Sequence, residues 1–143
     1  MKKAILLTSV FFVMTLLNSG NALAFNVGGK YEYKEKGCEG EMVVTEVETG
    51  MNPHITAKIG TVCGSAYYTC DTGDEPVVGT RDITEGNSVS TSFTTTGAPS
   101  VKFDIVFTPK GATIENIDNG SSLCGAGGGF SGKWVKVKTG GKK

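Results

Sequence analysis

Apolar residues in this chain recur at every second position and nowhere at a helical period, which confines it to β-strands. Val101, Phe103, Ile105 and Phe107 alternate with Lys102, Asp104 and Thr108. Ile55, Ala57, Ile59 and Cys63 share one face of His54 to Cys63, while His54, Thr56 and Lys58 share the other. Side chains of a strand point to opposite faces in turn, so such runs describe half-buried strands. The same reading gives strands at Lys30–Lys34 with Tyr31 and Tyr33 in phase, at Glu41–Glu48, and at Ala66–Asp71 after a tight Gly64-Ser65 turn. Further strands are expected at Val77–Thr80, Ser88–Thr94, Ala112–Ile117 and Phe130–Lys138. Turns fall at 37–40, 49–53, 85–87, 96–99, 109–111 and 118–120, where Gly, Pro, Asn and Asp gather. With Val77–Thr80 a short strand or only an edge, seven to eight full strands without a helix predict an all-β protein, a small antiparallel eight-stranded barrel or a sandwich.

Residues 1–24 read as a Sec signal peptide: Lys2 and Lys3, an apolar run from Ala4 to Leu17, and an Ala22-Leu23-Ala24 cleavage site. The apolar run falls short of the about 20 residues that span a bilayer, so no stable membrane insertion is expected. Residues 25–138 form a single β domain, and 139–143 a basic flexible tail. Export to the periplasm or outside a bacterial cell then accounts for the four cysteines, Cys38, Cys63, Cys70 and Cys124, as two disulfides. Zinc binding needs closer ligand pairs than these, and His54 is the sole histidine. Three pairings exist. In an up-and-down meander the first and last strands are neighbours, which favours Cys38–Cys124 and leaves Cys63–Cys70 to brace a hairpin.

Charge narrows the partners. Residues 25–132 carry 7 basic and 14 acidic side chains, and five lysines follow between 133 and 143. An acidic body repels nucleic acid and anionic lipid and attracts basic proteins.

Short motifs supply no chemistry. Gly127-Gly128-Gly129-Phe130-Ser131-Gly132 spells G-x-G-x-x-G, but a strand with Trp134 follows where a dinucleotide loop needs a helix, so close backbone packing or a bulge is expected. Asp71-Thr72-Gly73 matches the aspartic-protease triplet in a single copy, whereas that chemistry needs two carboxylates sharing a proton; a turn is the simpler reading. Asp71, Asp74 and Glu75 lack the spacing of a dedicated calcium loop. Asn119-Gly120-Ser121 reads as a turn. No catalytic residue, cofactor site or metal site emerges. The candidate partner-binding residues are Ser65, Tyr67, Asp71, Asp74 and Glu75, because exposed tyrosine beside acids makes a good protein anchor. Alternation exposes one of Tyr67 and Tyr68.

Gly37-Cys38-Glu39-Gly40, Thr69-Cys70, and Cys124-Gly125 leading to Phe130-Ser131-Gly132-Lys133-Trp134 resemble a group of small exported bacterial proteins, some of them similar to periplasmic lysozyme-inhibitor domains. The resemblance implies a small antiparallel barrel that inhibits a cell-wall hydrolase. That class carries a serine-glycine-x-x-tyrosine loop; this chain has Gly64-Ser65-Ala66-Tyr67-Tyr68 instead. The function expected is therefore non-enzymatic binding of a basic protein such as lysozyme, with a lipocalin-like carrier of an apolar ligand as the alternative.

Overall fold

Alternation closes the chain into a barrel. The computed structural model describes residues 25–48, 54–73, 76–85, 87–96, 99–124 and 128–138, with side chains omitted at 80–85. Residues 1–24, read above as a signal peptide, residues 139–143, Asp74 and Glu75 lie outside the described residues. Nine strands follow in order: β1 (Gly29–Glu35), β2 (Cys38–Val47), β3 (His54–Cys63), β4 (Tyr68–Asp71), β5 (Val77–Glu85), β6 (Ser88–Thr94), β7 (Lys102–Thr108), β8 (Gly111–Asp118) and β9 (Gly132–Lys136). All pairings are antiparallel, and the order β2-β1-β9-β8-β7-β6-β5-β3 closes through β2–β3. Of barrel and sandwich, the chain forms the eight-stranded barrel.

β4 is the addition to a simple meander. β3 pairs with β2 along its whole length, but on its other side it changes partner. His54–Ala57 pair with β5, and Gly60–Cys63 with β4. Between the two, Ile59 would lose its ladder. Thr72 fills the gap: its backbone N–H donates to Ile59 O at 3.0 Å, and its Oγ1 accepts from Ile59 N–H at 3.0 Å. Buried backbone groups need such partners.

The interior is occupied by side chains of inward phase. Tyr31, Tyr33, Met42, Ile55, Ile59, Phe93, Phe103, Ile105, Phe107, Ile114, Phe130 and Trp134 are fully buried. Tyr33 and Trp134, opposite each other on β1 and β9, stack at 4.9 Å between ring centroids. Phe93 stacks on Phe103 at 5.5 Å, and Phe130 meets Phe103 edge-on at 5.4 Å. Polar tips reach backbone where the strands end: Tyr33 Oη donates to Ser131 O (2.8 Å), Trp134 Nε1 to Phe130 O (3.0 Å), and Tyr31 Oη to Val27 O (2.5 Å). Eight strands enclose just enough width for side chains to fill.

The disulfides are Cys38–Cys63 and Cys70–Cys124, which corrects the expected Cys38–Cys124 and Cys63–Cys70. The first and last strands are indeed neighbours, but Cys38 is not at the end of the first. Lys36 and Gly37, at φ 56° and 75°, make a two-residue turn with both residues left-handed, so Cys38 opens β2 directly opposite Cys63. In the β3–β4 ladder Cys63 faces Tyr68 while Cys70 faces Thr61, so the two cysteines are out of register. Cys70 instead bridges to Cys124, which follows the 3-10 turn Gly120–Ser122. Two such bridges are consistent with an oxidising environment.

Two predictions arise from this interior. Thr91 is fully buried and its hydroxyl has no partner among the described residues. An unpartnered buried hydroxyl costs about 1–3 kcal/mol. Thr91→Val, nearly isosteric, should therefore raise stability by about 1 kcal/mol, read as a higher melting temperature; a lower one would mean that the hydroxyl is satisfied.

Burial also raises the pKa of Tyr31 and of Tyr33, with Glu46 and Glu35 respectively adding to the effect. A folded-state pKa above the unfolded value means stability that is complete below the unfolded pKa, about 10 for tyrosine, and is lost as pH rises beyond it. Lys136, whose pKa burial lowers, works in the opposite direction. Alkaline unfolding should set in above pH ~10 and be blunted in Tyr31→Phe. An equal alkaline slope in both proteins would contradict that assignment.

Candidate functional site

The exposed hydrophobic side chains are not scattered evenly over the barrel. Val62 on β3 and Tyr67 in the following turn border one hollow at the end of the β3–β4 hairpin, while Tyr68 at the start of β4 lies on the hairpin's other face, opposite Cys63. Tyr67 is 76 % exposed. It adopts φ 54°, a left-handed conformation that costs a bulky L-residue roughly 1–2 kcal/mol. The surroundings hold it there. Tyr67 N–H donates to Gly64 O at 3.3 Å, Gly64 N–H donates to Gly37 O at 3.0 Å, and the Cys38–Cys63 bridge lies immediately behind. The β1–β2 and β3–β4 turns are thus tied into one unit. Because Tyr67 belongs to a turn and not to a strand, alternation does not apply across Tyr67 and Tyr68, and both are exposed.

Ser65 is exposed beside Tyr67 on the same turn. Asp71 lies at the far end of β4, roughly 13 Å away by strand rise. Its carboxylate accepts from Gly73 N–H at 2.7 Å, so Asp71-Thr72-Gly73 is an Asx turn that leads out of β4. The structure brings Ser65 and Tyr67 together and sets Asp71 apart; Asp74 and Glu75 are outside the described residues.

Side chains that sequence reasoning did not single out complete this surface. On the outer wall, Glu39 stands opposite Val62, Glu41 opposite Gly60, and Val43 opposite Lys58. Gly60 also faces Asp71 across β4. A Cβ placed on Gly60 would meet nothing within 4 Å, so the wall is hollow there. Three open hollows run into one another along it. One of about 480 Å³ is bordered by Glu32, Lys34, Glu39, Glu41, Gly60 and Val62. A second, of about 440 Å³, shares Lys34, Glu39 and Val62 and reaches Tyr67. The third, about 190 Å³, shares Glu41 and Gly60 and runs to Val43, Lys58 and Asp71. Lys30 Nζ pairs with Glu41 at 2.5 Å, and that contact raises the lysine's pKa. The signal for the surface was present in the outward phase of β2 and β3, but an outward phase alone does not distinguish a groove from an ordinary solvated face.

A separate open cleft of about 580 Å³ lies where β4 gives way to β5, between Thr72, Pro76, Val78, Thr95, Pro99 and Leu123. Its hydroxyls are partly committed, with Thr95 Oγ1 accepting from Val101 N–H at 2.9 Å. Elsewhere, Gly132 opens β9 at φ 125° against the Glu35 carboxylate, and a strand follows the glycine run. Among the described residues no three His, Cys, Asp or Glu side chains gather to hold a metal ion. Every cysteine is bridged.

Comparison of the chain with protein-family models, curated proteins and solved structures returned no match.

Proposed function

We propose that this is a non-enzymatic protein, exported to the periplasm or beyond, that binds a basic protein partner through its β3–β4 turn, a lysozyme-type cell-wall hydrolase being the class that fits. The observation that carries the reading is Tyr67, held in a left-handed conformation on a disulfide-backed turn and 76 % exposed. A rigid aromatic presented this way loses little entropy on binding, and tyrosine is enriched among residues that dominate interface energy. Strain kept at an exposed position by its surroundings is a recurrent mark of binding sites. The acidic body, with 7 basic against 14 acidic residues between 25 and 132, favours encounter with a basic enzyme at low salt. A carrier of apolar ligands would need interior room that Trp134, Phe103, Phe107 and their neighbours fill.

The test is inhibition of a c-type lysozyme by residues 25–143 in a turbidity assay at low and high salt. Inhibition that weakens with salt is expected. Tyr67→Ala should weaken binding by about 2 kcal/mol, roughly thirtyfold, without changing the melting temperature appreciably. Absence of binding at low salt, or a Tyr67→Ala variant that binds as well as wild type, would remove the proposal.

A further inference from the structure

We propose that the outer-wall groove along β2 and β3 receives an extended, basic segment of the partner, with arginine or lysine at every second residue. This rests on the basic-partner reading above and specifies how the partner is recognised. Glu39 and Glu41 project from the same face of one strand, about 7 Å apart, which is also the spacing of same-face side chains in an extended peptide. Successive cations of such a segment meet successive carboxylates, the one at Glu41 displacing Lys30 from its ion pair. Glu39 makes no ion pair among the described residues, Lys34 lying opposite it on β1 without closing one. Gly60 supplies the depth. Glu41 and Asp71 flank it on neighbouring strands; Val62, 42 % exposed, borders two of the hollows and Val43, 46 % exposed, the third. A long cationic side chain lying over Gly60 rests its methylenes on these valines while its charge reaches a carboxylate on either side. Four carboxylates (Glu32, Glu39, Glu41, Asp71) line the three hollows against Lys34, Lys58 and the Lys30 that pairs with Glu41. Without the hollow, the wall would offer only general attraction to any cation; with it, the order of residues in the partner matters.

The experiment is an NMR titration of residues 25–143 with two isomeric capped hexapeptides of three arginines and three valines, one alternating and one with the arginines in a block. The alternating peptide should bind at least fivefold more tightly and shift the amides of 39–43 and 58–62. Gly60→Val, at an outward position with open space and no positive φ, should fold normally and lose that fivefold preference. Glu39→Gln combined with Glu41→Gln should weaken both peptides. Equal binding of the two isomers, or an undiminished preference in Gly60→Val, overturns the groove assignment. The lysozyme assay run in parallel separates the two proposals. Lysozyme binding that survives Gly60→Val but not Tyr67→Ala leaves the partner reading standing and removes the groove. Discrimination between the peptides without any lysozyme binding removes the hydrolase and supports the groove.

Discussion

Cys70→Ala with Cys124→Ala should destabilise the barrel by about 4 kcal/mol, and Cys38→Ala with Cys63→Ala by about 3.5 kcal/mol. The difference follows from the chain each bridge closes, 54 residues in the first case and 25 in the second. Cross-linking restricts the unfolded chain more as the loop grows, though slowly, because the dependence is logarithmic. A domain of this size has a total stability of about 5–15 kcal/mol, so either pair removes a large share. Guanidinium unfolding of both double variants, with the slopes compared to exclude a change of mechanism, gives the two values. A loss below about 1 kcal/mol for the 70–124 pair would contradict the entropic account. The two variants should also differ in function. Opening Cys38–Cys63 releases the β1–β2 and β3–β4 turns that hold Tyr67, so lysozyme binding should fall further in that variant than its smaller loss of stability suggests.

Trp134→Ala should cost about 3–5 kcal/mol, the range for removing a large aromatic from a packed core. Trp134 is fully buried, stacks on Tyr33, and donates to Phe130 O, so the change leaves a cavity and an unmatched ring as well as losing a hydrogen bond. Ala112 stands opposite it on β8 and cannot fill the space. Since the alanine variant could fail to fold, Trp134→Phe provides the intermediate measurement: stacking is retained, the indole N–H is lost, and about 1–2 kcal/mol should go. A phenylalanine variant as stable as wild type would show that the indole hydrogen bond contributes nothing.

What was legible in the sequence follows from where local chemistry sets the outcome. His54–Cys63 and Ser88–Thr94 are strands with the boundaries their alternation implies, and Phe103, Ile105 and Phe107 face the core as expected. Period-two patterning identifies such strands because one face is buried and the other is not. β5 extends to Glu85, beyond the expected Thr80, because the alternation is broken by a register shift between Arg81 and Ile83. Cys38 was misplaced into a turn since Lys36-Gly37 lacks the Asn or Asp that usually announces a two-residue turn of this type. That single displacement was enough to misassign the bridges, because disulfide pairing depends on register between distant strands. Phe130 is buried but precedes β9, where Gly132 turns the chain into the strand.

The candidate site was half legible. Ser65 and Tyr67, singled out by residue type, share one turn, whereas Asp71, one oxygen of which accepts in an Asx turn, stands at the far end of β4. Glu39, Glu41, Gly60 and Val62 come together only through the β2–β3 register, and a lone glycine in a strand does not announce that it leaves a hollow.

The most direct measurement is hydrogen–deuterium exchange on residues 25–143, alone and with a c-type lysozyme at low salt. The account predicts added protection at 38–43 and 58–71, around Tyr67 and the outer-wall groove, with the barrel's far side at 88–94 and 102–108 unchanged. Protection confined to the far side, or none at all, would contradict it.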